Sequence, residues 1–219
     1  MPKIYMSGLE LIKKIVVQGE RDFVGVQIPD GFEICGSEGK ELVQYLWEKN
    51  KKFENNPLDF SGASLRHLTA RNLFLPWLRA VETDFDGASL LGCSLIYAHL
   101  ERATFREANL SPAPSRGPSG GKTTSFARSE LLGANFEKAT LQNVCFESAD
   151  LSTVNFTSSY LHSADFTKAT LCQVQGLESA IDLEHAIIKY VTATEKERKI
   201  IMASRSKIMF KRIVDSNIN

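Results

Sequence analysis

The chain has 219 residues, 43% of them hydrophobic, which is enough for a sizeable core and too apolar for wholesale disorder. Lysine plus arginine and aspartate plus glutamate both total 26, so the net charge is zero and no chain-wide attraction to nucleic acid or to an anionic membrane is expected. No run approaches the roughly 18 apolar residues of a membrane span, and Glu10, Lys13 and Lys14 interrupt the stretch that would have to serve as a secretory leader.

In chain order, the first predicted element is a helix. Ser7 with Glu10 makes a capping box ahead of Leu11–Val17, and Gly19 closes it. Two five-residue units centred on Phe23 and Ile28 follow, then a helical excursion that Ser37 is placed to cap and that ends near Asn50. From Phe60 to Leu110 every fifth residue is apolar, and from Phe85 onward the residue two before each centre is small (Thr83, Ala88, Cys93, Ala98, Ala103, Ala108). The pattern breaks after Leu110 and resumes one residue out of phase at Phe126, running to Leu171 with leucine and phenylalanine in strict alternation.

A period of five suits neither a helix at 3.6 nor a long strand at 2. It suits short extended pieces joined by corners, with the small and the large residue of each unit both pointing inward. The break, residues 111–125, holds three prolines and three glycines and adds 11 residues to the period. It reads as a mobile loop projecting from a corner without disturbing the stacking. Beyond the repeats, residues 181–193 read as helical. Thr194 with Glu197 forms a second capping box before a basic helix to about Val214, expected to cover the end of the stack or to pair two copies of the chain through that cap.

The units match the A(D/N)LXX signature and resemble the pentapeptide-repeat family; AsnPhe after Ala134, AspLeu after Ala149 and AspPhe after Ala164 are examples. The resemblance implies an all-β solenoid, a right-handed quadrilateral β-helix in which four units make one coil and residues 20 apart stack. Phe136 then lies under Phe156 and Phe146 under Phe166, with phenylalanine ladders on two opposite sides and leucine ladders on the other two. The expected organisation is a cap over 1–56 with helices and two isolated units, a β-helix over 57–180 interrupted by the 111–125 loop, and a helical cap over 181–219.

No residue nominates itself as catalytic, cofactor-binding or metal-ligating. GPSGGKT lacks one residue of a phosphate loop, since three residues rather than four separate Gly117 from Gly121, and no strand precedes it. His67, His99, His162 and His185 are scattered and fall on outward positions. Cys35, Cys93, Cys145 and Cys172 form no metal-binding spacing and read as reduced thiols of a cytoplasmic protein, Cys93 inside the core.

The expected function is therefore that of a non-catalytic scaffold, not an enzyme. It needs no cofactor or small-molecule substrate and presents a rigid surface and a loop to another protein, Arg116 and Lys122 being the loop's cations. Some members of the family resemble duplex DNA and bind DNA gyrase, which is the alternative. Against it, residues 57–110 carry five basic and six acidic groups and residues 129–180 two and six, a mild acidity for a DNA mimic.

Overall fold

The computed structural model describes residues 4–29, 31–34, 36–114 and 121–216, with side chains in all of these except 36–38, 50 and 206–216. Each five-residue unit makes one side and one corner of a square coil. In the unit centred on Phe146, the Ala149 N–H donates to the Phe146 carbonyl at 3.0 Å, and Ser148 between them has φ 58°. A left-handed third residue is the mark of a type II turn. The same corner recurs at Phe85, closed by Ala88 with Gly87 left-handed.

The aspartate or asparagine before the centre has its own task. Its side-chain oxygen accepts from the N–H two residues on, as from Asp150 to Ser152, Asn155 to Thr157 and Asp165 to Thr167, each at 2.9 Å. That satisfies a backbone donor the corner would otherwise leave unpaired.

Coils stack through parallel backbone pairing. Cys145 pairs with Asp165 and Asp150 with Thr170, the offset of 20 expected. Across the break the offset is 31, Ser94 to Ser125 and Asn109 to Thr140, so the insertion leaves the register intact. The early units centred on Phe23 and Ile28 belong to the same solenoid: Asp22 pairs with Asp59 and Gln27 with Ser64.

Short strands mark the edges of this ladder. β1 (Ile4–Tyr5) pairs with β2 (Val26–Gln27). β3 (Glu33–Ile34) pairs with β4 (Thr69–Arg71), and β4 with β5 (Ser89–Leu91). β6 (Thr170–Leu171) pairs with β7 (Thr192–Ala193). The architecture is a right-handed quadrilateral β-helix with helical ends.

Inside it, two phenylalanine ladders run on opposite sides. Phe85, Phe105, Phe136 and Phe156 form one, with ring centroids 4.9, 5.0 and 5.8 Å apart. Phe126, Phe146 and Phe166 form the other, at 5.4 and 5.3 Å. The two ladders meet edge to face across the bore, an arrangement favoured by the ring quadrupoles. Leucines and the small residues fill the rest, and every centre from Phe126 to Leu171 is buried. At the amino end a dry, apolar space of about 50 Å³ remains among Leu46, Leu58, Leu73 and Leu95, where the coil's centres shrink to Ala70 and Ala80.

The ends differ from the sequence reading in detail. α1 (Gly8–Lys13) is capped by Ser7, whose Oγ accepts from the Glu10 N–H, and continues as a π-turn to Gln18 before left-handed Gly19. α2 (Gly36–Phe53) starts before and ends beyond the expected limits, and buries Leu42, Leu46 and Phe53; the Ser37 side chain lies outside the described ones.

Residues 181–193 are not helical. They make a further coil, in which Ile181 pairs with Tyr160 and Ile187 with Asp165. One and two residues beyond the period of 20 are taken up in 3₁₀ turns, Leu177–Ser179 and Leu183–His185, and the resulting compact corners are what mimicked a helical pattern. α3 (Glu195–Ser216) then begins as expected, the Thr194 N–H donating to the Glu197 carboxylate at 3.0 Å. No helix among the described residues is long and apolar enough to cross a membrane.

Candidate binding groove

Charge on the coil's sides is largely compensated near the amino end. Arg79 pairs with Asp59 at 3.1 Å, Arg102 with Glu82 at 2.7 Å, and Arg66 with Asp84 at 3.1 Å. Asp86 is the most buried of these acids and accepts from Arg106 Nε at 2.7 Å. Burial alone would raise its pKa, but the hydrogen bonds from Arg106 and Thr104 outweigh it and hold the carboxyl below its usual value. Such a group contributes stability above the ordinary aspartate range of about 4, lost as pH falls toward the lower folded value.

The coil's regularity is broken twice, and both departures leave from the same side. α2 follows β3, whose Glu33 heads a column continued by Thr69, Ser89, Asn109 and Thr140. The 111–125 loop follows Asn109 and Leu110 of that column. It does not stand clear of the coil at its feet, as a freely projecting loop would.

Three contacts pin those feet. Ala113 N–H donates to the Lys122 carbonyl at 2.9 Å. The buried Thr124 hydroxyl accepts from Gly92 N–H at 2.9 Å and donates to the Leu90 carbonyl at 3.0 Å. Gly92 makes the close approach feasible: it has φ 64°, and a Cβ there would come within 2.7 Å of the Lys122 carbonyl oxygen.

Pinned in this way, Lys122 lies against α2, its Nζ 5.4 Å from the centre of the Trp47 ring, a cation–π contact. Trp47 in turn meets Phe74 of the coil, ring centroids 5.0 Å apart. Between them lies an open groove of about 730 Å³, lined by Ile34, Val43, Trp47, Phe74, Arg71 and Lys122, with Glu33 and Lys40 at its edges. Its walls are mainly apolar side chains and its rim carries three cations against one acid. It is suited to gripping an apolar side chain flanked by carboxylates.

Of the loop cations singled out in the sequence, Lys122 lines this groove; Arg116 lies outside the described residues. Trp47, Phe74 and Arg71 were not singled out. The available signal was on α2, where Leu42, Leu46 and Phe53 mark the inward stripe and Trp47 falls off it, 57% exposed.

The remaining candidates behave variously. Cys93 is inside the core, its thiol pushed up to about 12 by burial, hence unreactive; Cys145 and Cys172 are half-buried. Cys35 lies outside the described residues. His67 is exposed and His99 is hydrogen-bonded to Glu130 at 3.0 Å. The expected scatter of the histidines fails for one pair: the coil brings His162 and His185 together, ring centroids 5.1 Å apart.

Residues 81–111, 124–157 and 146–174 match the family model of pentapeptide repeats in 8 copies. No curated protein matches the chain. Among solved structures, the chain is similar to the pentapeptide repeat protein Rfr23 from the cyanobacterium Cyanothece 51142, at 17% identity, 68% of this chain and 96% of that one, TM-score 0.42. It is also similar to trypsin-treated QnrB1, a plasmid-mediated fluoroquinolone resistance protein, at 18% identity, 84% and 80%, TM-score 0.43. A third is HetL, a pentapeptide repeat protein involved in heterocyst differentiation regulation from Nostoc, at 17%, 86% and 96%, TM-score 0.30.

Proposed function

We propose, from the premise that its coils belong to the pentapeptide-repeat family, that this chain is a non-catalytic scaffold that holds an acidic, apolar segment of a partner protein in the groove between α2 and the coil, flanked by Lys122 of the 111–125 loop. The observation that carries the reading is Trp47. An apolar patch rimmed by polar groups marks an interaction site, and this tryptophan, 57% exposed, forms one with Phe74, Ile34 and Val43, rimmed by Lys122 and Arg71. Large aromatics and arginine in a concave site dominate binding energy in protein interfaces. A scaffold reading fits the bore, which among the described residues is packed with apolar side chains rather than lined by polar ones.

The alternative of a duplex-like ligand of DNA gyrase draws little from the surface. Asp59, Glu82, Asp84 and Asp86 are each paired with arginine, which interrupts the acidity of the coil's sides near the amino end. Purified gyrase, assayed for supercoiling and for quinolone poisoning with and without the chain, separates the two: an effect at stoichiometric protein favours the duplex mimic.

For the scaffold, Trp47→Ala tests the groove. Capture from an extract of the native host is expected to enrich a protein with the intact chain, to lose it with Trp47→Ala, and to keep it with Gln142→Ala on a coil side. Such a truncation at an interface centre weakens binding by ~2 kcal/mol or more, about 30-fold. Undiminished capture by the Trp47 variant overturns the assignment of the groove.

A further inference from the structure

The last coil runs one to two residues past the regular period of 20, and the extra residues are placed to some purpose. Ile181 pairs with Tyr160 at an offset of 21 rather than 20, and Asp182 after it is left-handed, φ 58°. The 3₁₀ turn Leu183–His185 then folds back, the His185 N–H donating to the Asp182 carbonyl at 3.0 Å. The outcome is a three-residue constellation spanning two coils. His162 comes from the preceding coil, and Asp182 and His185 from the last one.

Its geometry is unlike that of a satisfied hydrogen-bonded cluster. Asp182 Oδ2 lies 3.5 Å from His162 Nδ1, and Oδ1 lies 3.9 Å from His185 Nδ1. Both separations are at or beyond the limit of a hydrogen bond. His162 Nδ1 is buried and has no hydrogen-bond partner, an arrangement that calls for an explanation in a native structure. The contrast with His99 is direct, since its Nδ1 meets Glu130 at an ordinary 3.0 Å.

The long separations fit a shared cation. Ligand atoms about 2.0–2.1 Å from a tetrahedral zinc ion stand about 3.3 Å from one another. The ligand atoms of His162, Asp182 and His185, two half-buried and one exposed, all lie within 4.8 Å of one another, and small side-chain rotations close the difference. Two imidazoles and one carboxylate suit a borderline divalent ion and leave one position for water. Tyr160 supplies the outer partner, its hydroxyl placed beside the Asp182 carboxylate and its ring stacked on that of His162, centroids 6.2 Å apart.

We propose that His162, Asp182 and His185 form a zinc site that clips the last coil to the one before it. The ion would tie the corner on which α3 rests to the regular stack, so that metal stabilises the carboxyl end by linkage.

Isothermal titration of the full chain with ZnCl₂, after chelator treatment, tests this. The expected result is one ion per chain, with binding reduced at least 100-fold by His162→Ala or His185→Ala and ~10-fold by Tyr160→Phe. His99→Ala is the matched control and leaves it unchanged. Asp182→Asn keeps the left-handed corner, which asparagine tolerates, and removes the charged ligand. It is expected to lose zinc while its far-ultraviolet circular dichroism stays that of the parent, so misfolding cannot account for the loss. Cobalt substitution gives the second readout, with the intense visible bands of a four-coordinate ion in the parent and none in the Asp182 variant. No zinc heat with the parent chain, or binding that survives replacement of both histidines, overturns the proposal.

Discussion

Phe146→Ala is expected to lower the melting temperature by roughly 6–20 °C. The ring is fully buried in the middle of its ladder, 5.4 Å from Phe126 and 5.3 Å from Phe166, and meets Phe136 and Phe156 edge to face at 5.8 and 6.2 Å. Removing a buried phenylalanine costs about 3–5 kcal/mol through lost transfer energy and the cavity left behind. In a chain of this size each kcal/mol moves the midpoint by about 2–4 °C. The upper part of both ranges is expected, because the void sits between coils whose spacing is fixed by backbone hydrogen bonds on every side, so little collapse can heal it. Phe136→Leu should be milder, about 1–1.5 kcal/mol, since the adjoining sides already carry leucine ladders. A Phe146→Ala chain with an unchanged midpoint would show that the ring does not face the bore.

Deleting residues 194–219 is expected to have the other large effect. α3 covers the last coil: Glu197 and Ile201 are buried against it, and Thr194 joins helix to coil through its bond to Glu197. Without the helix, the edge of β7 and the underside of Leu183 and Ala186 meet water. An unpaired parallel edge on an apolar coil is a template for association with another chain. The expected result is aggregation on heating at a temperature at least 10 °C below the parent's midpoint, or several kcal/mol. Size-exclusion chromatography of the same pair of proteins reads whether the helix also joins two copies. A truncated chain that stays monodisperse and equally stable would mean that α3 is not a cap.

The coil was legible because its rule is local. A small residue, then aspartate or asparagine, then leucine or phenylalanine states which side chains face inward and which oxygen caps the corner, so the columns follow from counting by 20. The insertion was legible for the same reason, the one-residue phase shift at Phe126 being what 11 added residues leave against a period of five. The ends were harder. Residues 181–193 keep the pairing but lose the spacing, and compact 3₁₀ corners around Leu177 and Leu183 carry apolar residues three to six apart, as a helix would.

The groove was harder still, because it depends on two insertions meeting in space. Lys122 drew notice as a cation in a loop free of acids, yet its neighbour Trp47 is 75 residues away in the sequence. Only the shared departure side of α2 and the loop brings them together. His162 and His185 were missed likewise: their offset of 23 is no multiple of the period, and the 3₁₀ turn that folds His185 back cannot be read from spacing.

The central claim is that the coil is a rigid support and that binding is confined to the groove where α2 and Lys122 of the loop meet one side of it. Replacing residues 111–125 by a short Gly-Ser link that restores the five-residue period between Leu110 and Phe126 tests it most directly, by thermal unfolding and partner capture on the same preparation. Flexible insertions at corners add little to stability, and the lost anchors at Ala113 and Thr124 are few, so the midpoint should move by no more than about 4–8 °C, the effect of ~2 kcal/mol. Capture of the native partner should fall at least tenfold, since Lys122, which flanks the groove and lies against Trp47, is gone. A loopless chain that folds as before and captures its partner at full affinity would contradict the account.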